Sequence, residues 1–260
     1  MFVFLYYSRW CHLVVCSGFG VHVLEEDLMI ILRPAKERGA ANHGWLDTRH
    51  TFSFAHYHDP AHMGFRSLRV INEDIIQPGA GFDTHGHQDM EVISYPLSGG
   101  LAHRDSTGST AVIRPGQVQC MTAGRGIRHS EYNASDSEIA HFLQIWIRPD
   151  QDGLEPGYEQ KAFARESWSG RFGLIASPDG AEQSLTIHQD VRLLGLLLDQ
   201  DQEARYALAP ARHAWVQIAR GQVSLNGLEL SAGDGVAISG EPAVCCVGRE
   251  RAELLFFDLA

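Results

Sequence analysis

From Met29 to the end of the chain, the sequence consists of short apolar segments separated by Gly, Pro, Asn and Asp. The dipeptide Asn226-Gly227, between Val-Ser-Leu and Leu-Glu-Leu, is a strong signal for a two-residue β-hairpin turn. No long segment shows the 3.6-residue period of an amphipathic helix. Short strands with turns at regular spacing predict an all-β protein built from sandwiches or barrels.

A run of chain breakers and acidic residues at positions 150–157 divides the sequence into two parts. A length of 260 residues suits one large or two ordinary domains. We predict a first β unit at residues 29–150 and a second at residues 158–260. Within the first unit, the polar residues 35–50 predict a loop, and the alternating residues 51–55 predict a strand.

Residues 1–28 form an apolar, aromatic extension that is interrupted by Arg9 and His12. No basic segment precedes the apolar run and no clear cleavage site follows it, which argues against a signal peptide. A membrane span needs about 20 apolar residues without charge, and this extension does not provide them. We predict that translation begins at Met29 and that the protein has no membrane segment.

Charge and cysteine usage narrow the class of protein. The net charge is −11 and no run of Lys or Arg occurs, whereas nucleic-acid-binding proteins usually carry a clustered basic face. Direct binding of DNA or RNA is therefore disfavoured. The five cysteines are odd in number and do not indicate a disulfide framework, so we predict a reducing, cytoplasmic location.

Two short polar pairs carry the candidate chemistry. His85 and His87 flank one glycine, and His129 and Glu131 flank one serine. In an extended strand, an i, i+2 spacing places both side chains on one face. If the two strands face each other, three imidazoles and one carboxylate converge on a point that suits a divalent metal. A single His-x-His is common in strands without any metal, so the second pair is what strengthens the prediction.

These pairs resemble two motifs of the pirin family, a branch of the cupin superfamily. The first motif matches at Gly79, His85, His87 and Glu91. In the second, Pro115-Gly116 leads to Gly124 and His129, and His129 lies two residues later than the general cupin pattern places it. Pirin-like proteins share that longer form, and Thr-Ala-Gly-Arg-Gly-Ile-x-His-Ser-Glu is close to their signature. The resemblance runs from about Met29 to the C-terminus and is weaker over the second half.

The resemblance implies a bicupin fold of two jelly-roll barrels, in which only the first binds metal. It implies metal ligands at His85, His87, His129 and Glu131, with Glu131 also accepting a proton as general base. Glu91, a ligand in many cupins, is then expected in the pocket or behind the ligands. His103, Phe82 and Met121 are expected to border the same pocket, although core packing or a structural role is the alternative for each.

The implied activity is that of bacterial pirin-like quercetin 2,3-dioxygenases, which open a flavonol ring with O2 and release CO. The implied cofactor is one divalent cation, foremost Fe(II), with Zn, Ni, Co, Mn or Cu as alternatives. The implied partners are a small flavonol-like substrate and O2. Mammalian pirin implies a second possibility, a metal-dependent, redox-sensing regulator that binds a protein partner without turnover. A cupin isomerase or hydrolase is a third.

Overall fold

The computed structural model describes residues 29–260, and the prediction about residues 1–28 lies outside them. The described chain is almost entirely β, which confirms the all-β prediction. Three short 3-10 helices interrupt the strands at Ala35–Glu37, Arg165–Trp168 and Ala181–Gln183. In this part of the chain, no helix has the length and apolar character needed to cross a bilayer.

The first barrel combines a seven-stranded and a four-stranded antiparallel sheet. The larger sheet has the order β12-β9-β6-β11-β4-β3-β2, with strands Gly157–Ala162 (β12), Gln117–Thr122 (β9), Glu91–Ser98 (β6), Ala140–Ile147 (β11), Leu68–Ile76 (β4), Leu46–His50 (β3) and Gly39–Asn42 (β2). The smaller sheet has the order β5-β10-β7-β8, with strands Gly81–His87 (β5), Ile127–Asn133 (β10), Leu101–Asp105 (β7) and Thr110–Ile113 (β8).

The second barrel repeats this arrangement. Its larger sheet has the order β1-β20-β17-β22-β15-β13-β14, with strands Met29–Arg33 (β1), Gly235–Ser239 (β20), His213–Arg220 (β17), Ala252–Leu259 (β22), Val191–Leu198 (β15), Gly173–Ser177 (β13) and Leu185–Thr186 (β14). Its smaller sheet has the order β16-β21-β18-β19, with strands Glu203–Ala207 (β16), Ala243–Gly248 (β21), Gln222–Leu225 (β18) and Leu228–Ser231 (β19). Asn226 and Gly227 both have positive φ, as the predicted hairpin requires.

The two barrels exchange edge strands, so the predicted boundaries are wrong at both ends. The first strand, β1, pairs with β20 in the second barrel, although it precedes the whole first barrel in sequence. The strand β12 follows the predicted linker but pairs with β9 in the first barrel. Both exchanges supply an edge partner to a sheet whose outer strand would otherwise present unpaired backbone groups.

The two large sheets pack face to face through one continuous hydrophobic core. Ile93 and Ile145 of the first barrel belong to the same buried cluster as Trp215, Leu255 and Phe257 of the second. Along β22, the alternate residues Leu254 and Phe256 belong instead to the interior cluster of the second barrel. A strand buried on both faces reads as a continuous apolar run, which explains the sequence Leu-Leu-Phe-Phe near the C-terminus.

The interiors of the two barrels differ in polarity. The second is filled by aliphatic side chains and phenylalanine. The first encloses many buried polar groups, among them Asn72, Asp74, Ser94, His103, Gln119, His129, Glu131 and Gln144. Because unpaired polar groups are costly to bury, this concentration indicates a functional interior in the first barrel.

Two local predictions are wrong. The first fails because the barrel interior is polar, and the second fails because the chain forms a tight loop. The predicted loop at residues 35–50 contains β2 and β3, where Thr48 and His50 face inward although they are polar. The predicted strand at residues 51–55 is irregular: Ser53 and Asp59 form two hydrogen bonds that close a loop, and Ala55 has a φ of 49°. A polar strand and an apolar loop both mislead a reading based on alternation.

Candidate metal centre

Strands β5 and β10 bring the two polar pairs together. They pair antiparallel with His85 opposite His129, and a register shift follows between His129 and Glu131. The i, i+2 spacing places His85 and His87 on one face of β5, as alternation requires. On β10, His129 and Glu131 are buried while Arg128 and Tyr132 are exposed, so both candidate ligands face the interior.

Three imidazole nitrogens converge at the mouth of the first barrel. The Nε2 atom of His129 lies 2.9 Å from Nε2 of His87 and 3.0 Å from Nε2 of His85. Two nitrogens bound at right angles to one metal, each about 2.1 Å from it, are separated by about 3.0 Å. The spacing therefore fits a single cation, and right-angle positions are those of octahedral or square-pyramidal sites.

Burial keeps the imidazoles of His87 and His129 neutral. Burial, reinforced by the neighbouring imidazoles, lowers the pKa of His129 to about 2 and that of His87 to about 4. The Nδ1 atom of His85 lies 2.8 Å from the carbonyl oxygen of Asp83, so it donates and leaves Nε2 without a proton. Neutral imidazoles with an unprotonated nitrogen are the form that binds metals.

Glu131 lies beside this cluster, and its carboxylate is hydrogen-bonded to two residues outside the cluster. Its carboxylate accepts hydrogen bonds from Ser94 Oγ at 3.1 Å and from Gln144 Nε2 at 2.7 Å. Its oxygen lies within 4.8 Å of the ring nitrogens of His103 and His129, whereas His85 and His87 form a separate group with His129. Of the four predicted ligands, the structure thus brings the three histidines into direct contact and places Glu131 next to His129. Among the described residues, no comparable group occurs in the second barrel.

Burial dominates the acid–base behaviour of Glu131. The carboxyl group is 2% exposed, and burial raises its pKa to about 7, although the hydrogen bond from Ser94 acts in the opposite direction. The buried Asp74 adds to this rise through its charge. A carboxyl group that titrates near neutral pH is suited to accept a proton from a substrate.

His103 stands behind His129, on the neighbouring strand β7. It is opposite Glu131 in the strand pairing and 1% exposed. Its Nε2 lies 2.9 Å from Asp105 Oδ2, its Nδ1 lies 3.4 Å from His129 Nδ1, and the ring of Tyr158 stacks on it at 4.7 Å. His103 is therefore a buried neighbour of a candidate ligand.

Aromatic rings flank the histidines on two sides. Phe82 lies 6.3 Å from the ring of His85, and Trp146 lies edge-on at 4.8 Å from the ring of His87. The indole N–H of Trp146 is buried and has no hydrogen-bond partner among the described residues. Sequence analysis missed Trp146, although its even spacing from Gln144 on β11 was the available signal. Met121 is fully buried in the cluster beside Trp146, which is the packing role that we kept as its alternative.

Glu91, which was expected in the pocket or behind the ligands, lies on the face of β6 that meets the second barrel. The chain turns between β5 and β6, where Asp89 has a φ of 47°, so the alternation of β5 does not continue to Glu91. Its carboxylate accepts a hydrogen bond from Thr122 Oγ1 at 3.0 Å and lies 3.4 Å from His188 Nδ1 of the second barrel. Glu91 thus faces the interface between the barrels.

An open depression lies beside His87. It has a volume of about 560 Å³ and is lined by His87, Gln88, Ile127 and Arg128, together with Gly86, Ser106 and Gly126. This volume lies within the range of small-molecule sites, about 300–1,000 Å³. A drug-sized ligand therefore has room to approach the exposed side of the imidazole cluster.

Comparison with known proteins shows the family of the chain. The family model described as Pirin matches residues 32–147, and the one described as Quercetinase C-terminal cupin domain matches residues 174–259. A quercetin 2,3-dioxygenase from Escherichia coli (strain K12) is 48% identical over 231 residues, which cover 89% of this chain and 99% of that protein. The chain belongs to the pirin family. A pirin-like protein from Caulobacter vibrioides is 41% identical over 234 residues, covering 89% of this chain and 100% of that protein.

Solved pirin structures share the whole described fold. The crystal structure of YhhW from Escherichia coli matches with a TM-score of 0.86 at 47% identity, covering 89% of this chain and 98% of that one. The nickel(II) complex of the same bacterial pirin matches with a TM-score of 0.85 at 47% identity, over 89% and 99% of the two chains. These matches confirm the prediction of a pirin with two cupin domains.

The pirin-family site should bind metal more weakly in acid because of Glu131. A ligand must lose its proton to bind. In the metal-free protein, burial raises the pKa of Glu131 to about 7, whereas it lowers the pKa of His87 to about 4 and that of His129 to about 2. We expect Glu131 to lower the apparent Ni(II) affinity by about tenfold for each pH unit below 7. Competition with a chromophoric chelator between about pH 5 and pH 8 measures this slope.

The neutral variant Glu131→Gln isolates the contribution of this carboxyl group. We expect its affinity to be lower throughout and its slope to decrease by one proton. Glu138→Gln, at an exposed position, is the matched control and should keep the wild-type slope. An unchanged slope in Glu131→Gln would show that metal binding does not require this carboxyl group to lose a proton.

Proposed function

We propose that this protein is a metal-dependent dioxygenase that opens flavonols such as quercetin with O2 and releases CO. The observation that carries the proposal is the convergence of three Nε2 atoms, 2.9 and 3.0 Å apart, beside a buried carboxylate. The relative that is named quercetin 2,3-dioxygenase supports the choice of reaction. The depression beside His87 supports access by a small molecule.

The proposed ligands are His85, His87, His129 and Glu131. Three neutral imidazoles and one carboxylate suit a divalent first-row metal, and four protein ligands leave a position open on a five- or six-coordinate cation. The fit is tested by the spacing of the nitrogens, which matches right-angle positions around one ion. Glu131 contributes the only negative charge of this set.

We propose Fe(II) as the cation in the cell. Histidines together with a carboxylate are typical ligands of non-haem Fe(II) oxygenases. The nickel(II) complex of the related YhhW supports Ni(II) as the alternative. The metal-free protein is reconstituted with each cation in turn under anaerobic conditions. Relative turnover, measured after O2 is admitted, decides between them.

The residues around the cation accept a proton, orient the carboxylate and contact the substrate. When bound, a divalent cation supplies Lewis acidity, which lowers the pKa of a hydroxyl group at the site. Glu131 accepts the proton of the flavonol 3-hydroxyl, because its carboxylate lies beside His129 at the same centre. Ser94 and Gln144 hold that carboxylate in place. Phe82 lies near the ring of His85 and Trp146 near that of His87, so both rings are available to contact a flat substrate.

Incubation of the purified protein with quercetin in air tests the proposal. We expect loss of the flavonol absorbance together with release of CO, both abolished by a chelator and restored by the active cation. Turnover that survives complete removal of metal would contradict the proposal. Tight metal binding without turnover would instead favour the regulatory, protein-binding alternative.

We also propose that the protein resides in the cytoplasm. Cys120, Cys245 and Cys246 are free, and Cys120 and Cys246 are buried. Free thiols persist in reducing compartments, whereas secreted proteins tend to oxidise theirs. Fractionation of the source cells checks this location.

A further inference from the structure

A row of buried groups runs from strand β7 into the candidate metal centre. Asp105 and His103 alternate on the inner face of β7, and the pairing of β7 with β10 sets them opposite His129 and Glu131. Asp105 Oδ2 lies 2.9 Å from His103 Nε2, and His103 Nδ1 lies 3.4 Å from His129 Nδ1. The side chains of His103 and Asp105 are fully shielded from solvent.

Asp105, the first residue of the row, determines which nitrogen atom donates in each hydrogen bond that follows. A carboxylate only accepts, so Nε2 of His103 carries the proton that it shares with Asp105. In a neutral ring, Nδ1 of His103 is then the acceptor, and Nδ1 of His129 is the donor. The proton of His129 is thus placed on Nδ1, and its Nε2 is left bare, facing His85 and His87.

Asp105 is itself held so that the same oxygen always faces His103. Its Oδ1 accepts hydrogen bonds from the backbone N–H of Thr107 at 2.8 Å, the hydroxyl of Thr107 at 2.6 Å and the backbone N–H of Ser109 at 3.2 Å. Three donors on one oxygen fix the rotation of the carboxylate and leave Oδ2 for His103. The tight turn after β7 therefore orients the row from its far end.

We propose that Asp105 and His103 are positioning residues that set the tautomer and orientation of His129 for metal binding. The inference rests on the proposed metal site and does not depend on the flavonol reaction. Neighbours of metal-ligating histidines commonly fix the ring through its second nitrogen, and their loss typically weakens metal affinity by about 10–100-fold. Here the partner is a second histidine, which carries the influence of a carboxylate from one strand to the next.

The substitution Asp105→Asn tests the proposal because it exchanges the donor and the acceptor in each hydrogen bond of the row, while the shape of the side chain is kept. The three donors around Oδ1 require the amide oxygen at that position, which turns the amide N–H2 towards His103. His103 Nε2 then accepts, its Nδ1 donates to His129, and the proton of His129 moves to Nε2. We expect Ni(II) affinity, measured by chelator competition, to fall by about 10–100-fold.

Two substitutions of His103 separate hydrogen bonding from packing. In His103→Gln, the side-chain oxygen accepts from His129 and the amide donates to Asp105, so we expect affinity close to wild type. In His103→Leu, neither bond forms, and we expect a loss similar to that of Asp105→Asn. Asp136→Asn, the same change at an exposed aspartate, is the matched control and should not alter affinity.

Nitrogen NMR of the metal-free protein reads the tautomer directly. The signals of His129 are assigned by their absence in His129→Ala. We expect a protonated Nδ1 and a bare Nε2 in the wild type, and the reverse in Asp105→Asn. Wild-type Ni(II) affinity and an unchanged His129 tautomer in a folded Asp105→Asn protein would overturn the proposal. A wild-type protein that binds no metal would defeat the proposed function, whereas the NMR result would still decide whether the row sets the tautomer.

Discussion

Replacing His129 with alanine is expected to abolish flavonol turnover and to weaken Ni(II) binding by at least about 100-fold. His129 is the common neighbour of the whole site: its Nε2 lies within 3.0 Å of both other imidazole nitrogens, and Glu131 lies beside it. Loss of a partner behind a ligand already costs about 10–100-fold, so loss of the ligand itself should cost at least the upper value. Metal analysis and the quercetin assay measure the two effects.

His43→Ala is the matched control for this variant. His43 is exposed in the loop between β2 and β3, so its removal should leave metal content and turnover unchanged. If His129→Ala retained stoichiometric metal and normal turnover, the proposed centre would be wrong. If it lost turnover but kept the metal, His129 would be needed for the reaction without being a ligand.

The second large effect is expected on stability, in Glu253→Ala. Glu253 lies on the interface face of β22, where it is 5% exposed. It accepts a hydrogen bond from Tyr95 Oη of the first barrel at 2.5 Å and forms an ion pair with Arg165. Truncation leaves the buried phenol and the half-buried guanidinium without their partner, and an unsatisfied buried donor typically costs about 1–3 kcal/mol. Denaturant unfolding measures the change in the free energy of unfolding.

Glu250→Ala is the matched control, because Glu250 is an exposed glutamate close to Glu253 in sequence. We expect a change of less than about 0.5 kcal/mol there, because surface substitutions away from special features have small effects. An equally small change in Glu253→Ala would show that the buried network contributes nothing net to the association of the barrels. The substitution Glu253→Gln should cost less, since the amide still accepts from Tyr95.

The centre could be located from the sequence because alternation along a strand is strict. His85 with His87, and His129 with Glu131, needed only extended backbone to share a face, and the structure provides that backbone. The strand pairing that brings the two pairs together is a long-range property, and the family resemblance supplied it. The role of His103 needed the register between β7 and β10, which no local pattern contains.

The failed predictions also have local physical causes. Glu91 was placed by the family resemblance, but β5 ends at His87 and the chain turns at Asp89, so Glu91 begins a new strand with its own alternation. Trp146 was missed because its only signal, the even spacing from Gln144, becomes readable once Gln144 is known to face the interior. The strand β3 was read as a loop because its inward residues are polar, and only the polar interior of the barrel makes such a strand stable.

The exchange of β1 and β12 means that the polypeptide cannot be cut into two self-sufficient halves at the linker. A fragment that ends at residue 150 lacks the strand that borders β9, and the complementary fragment lacks the strand that borders β20. Each fragment would expose a long sheet edge and the apolar face that now joins the barrels. Each barrel thus depends on the other to complete a sheet and to bury an apolar face, which is a structural reason to retain a second barrel whose described residues form no metal-binding group.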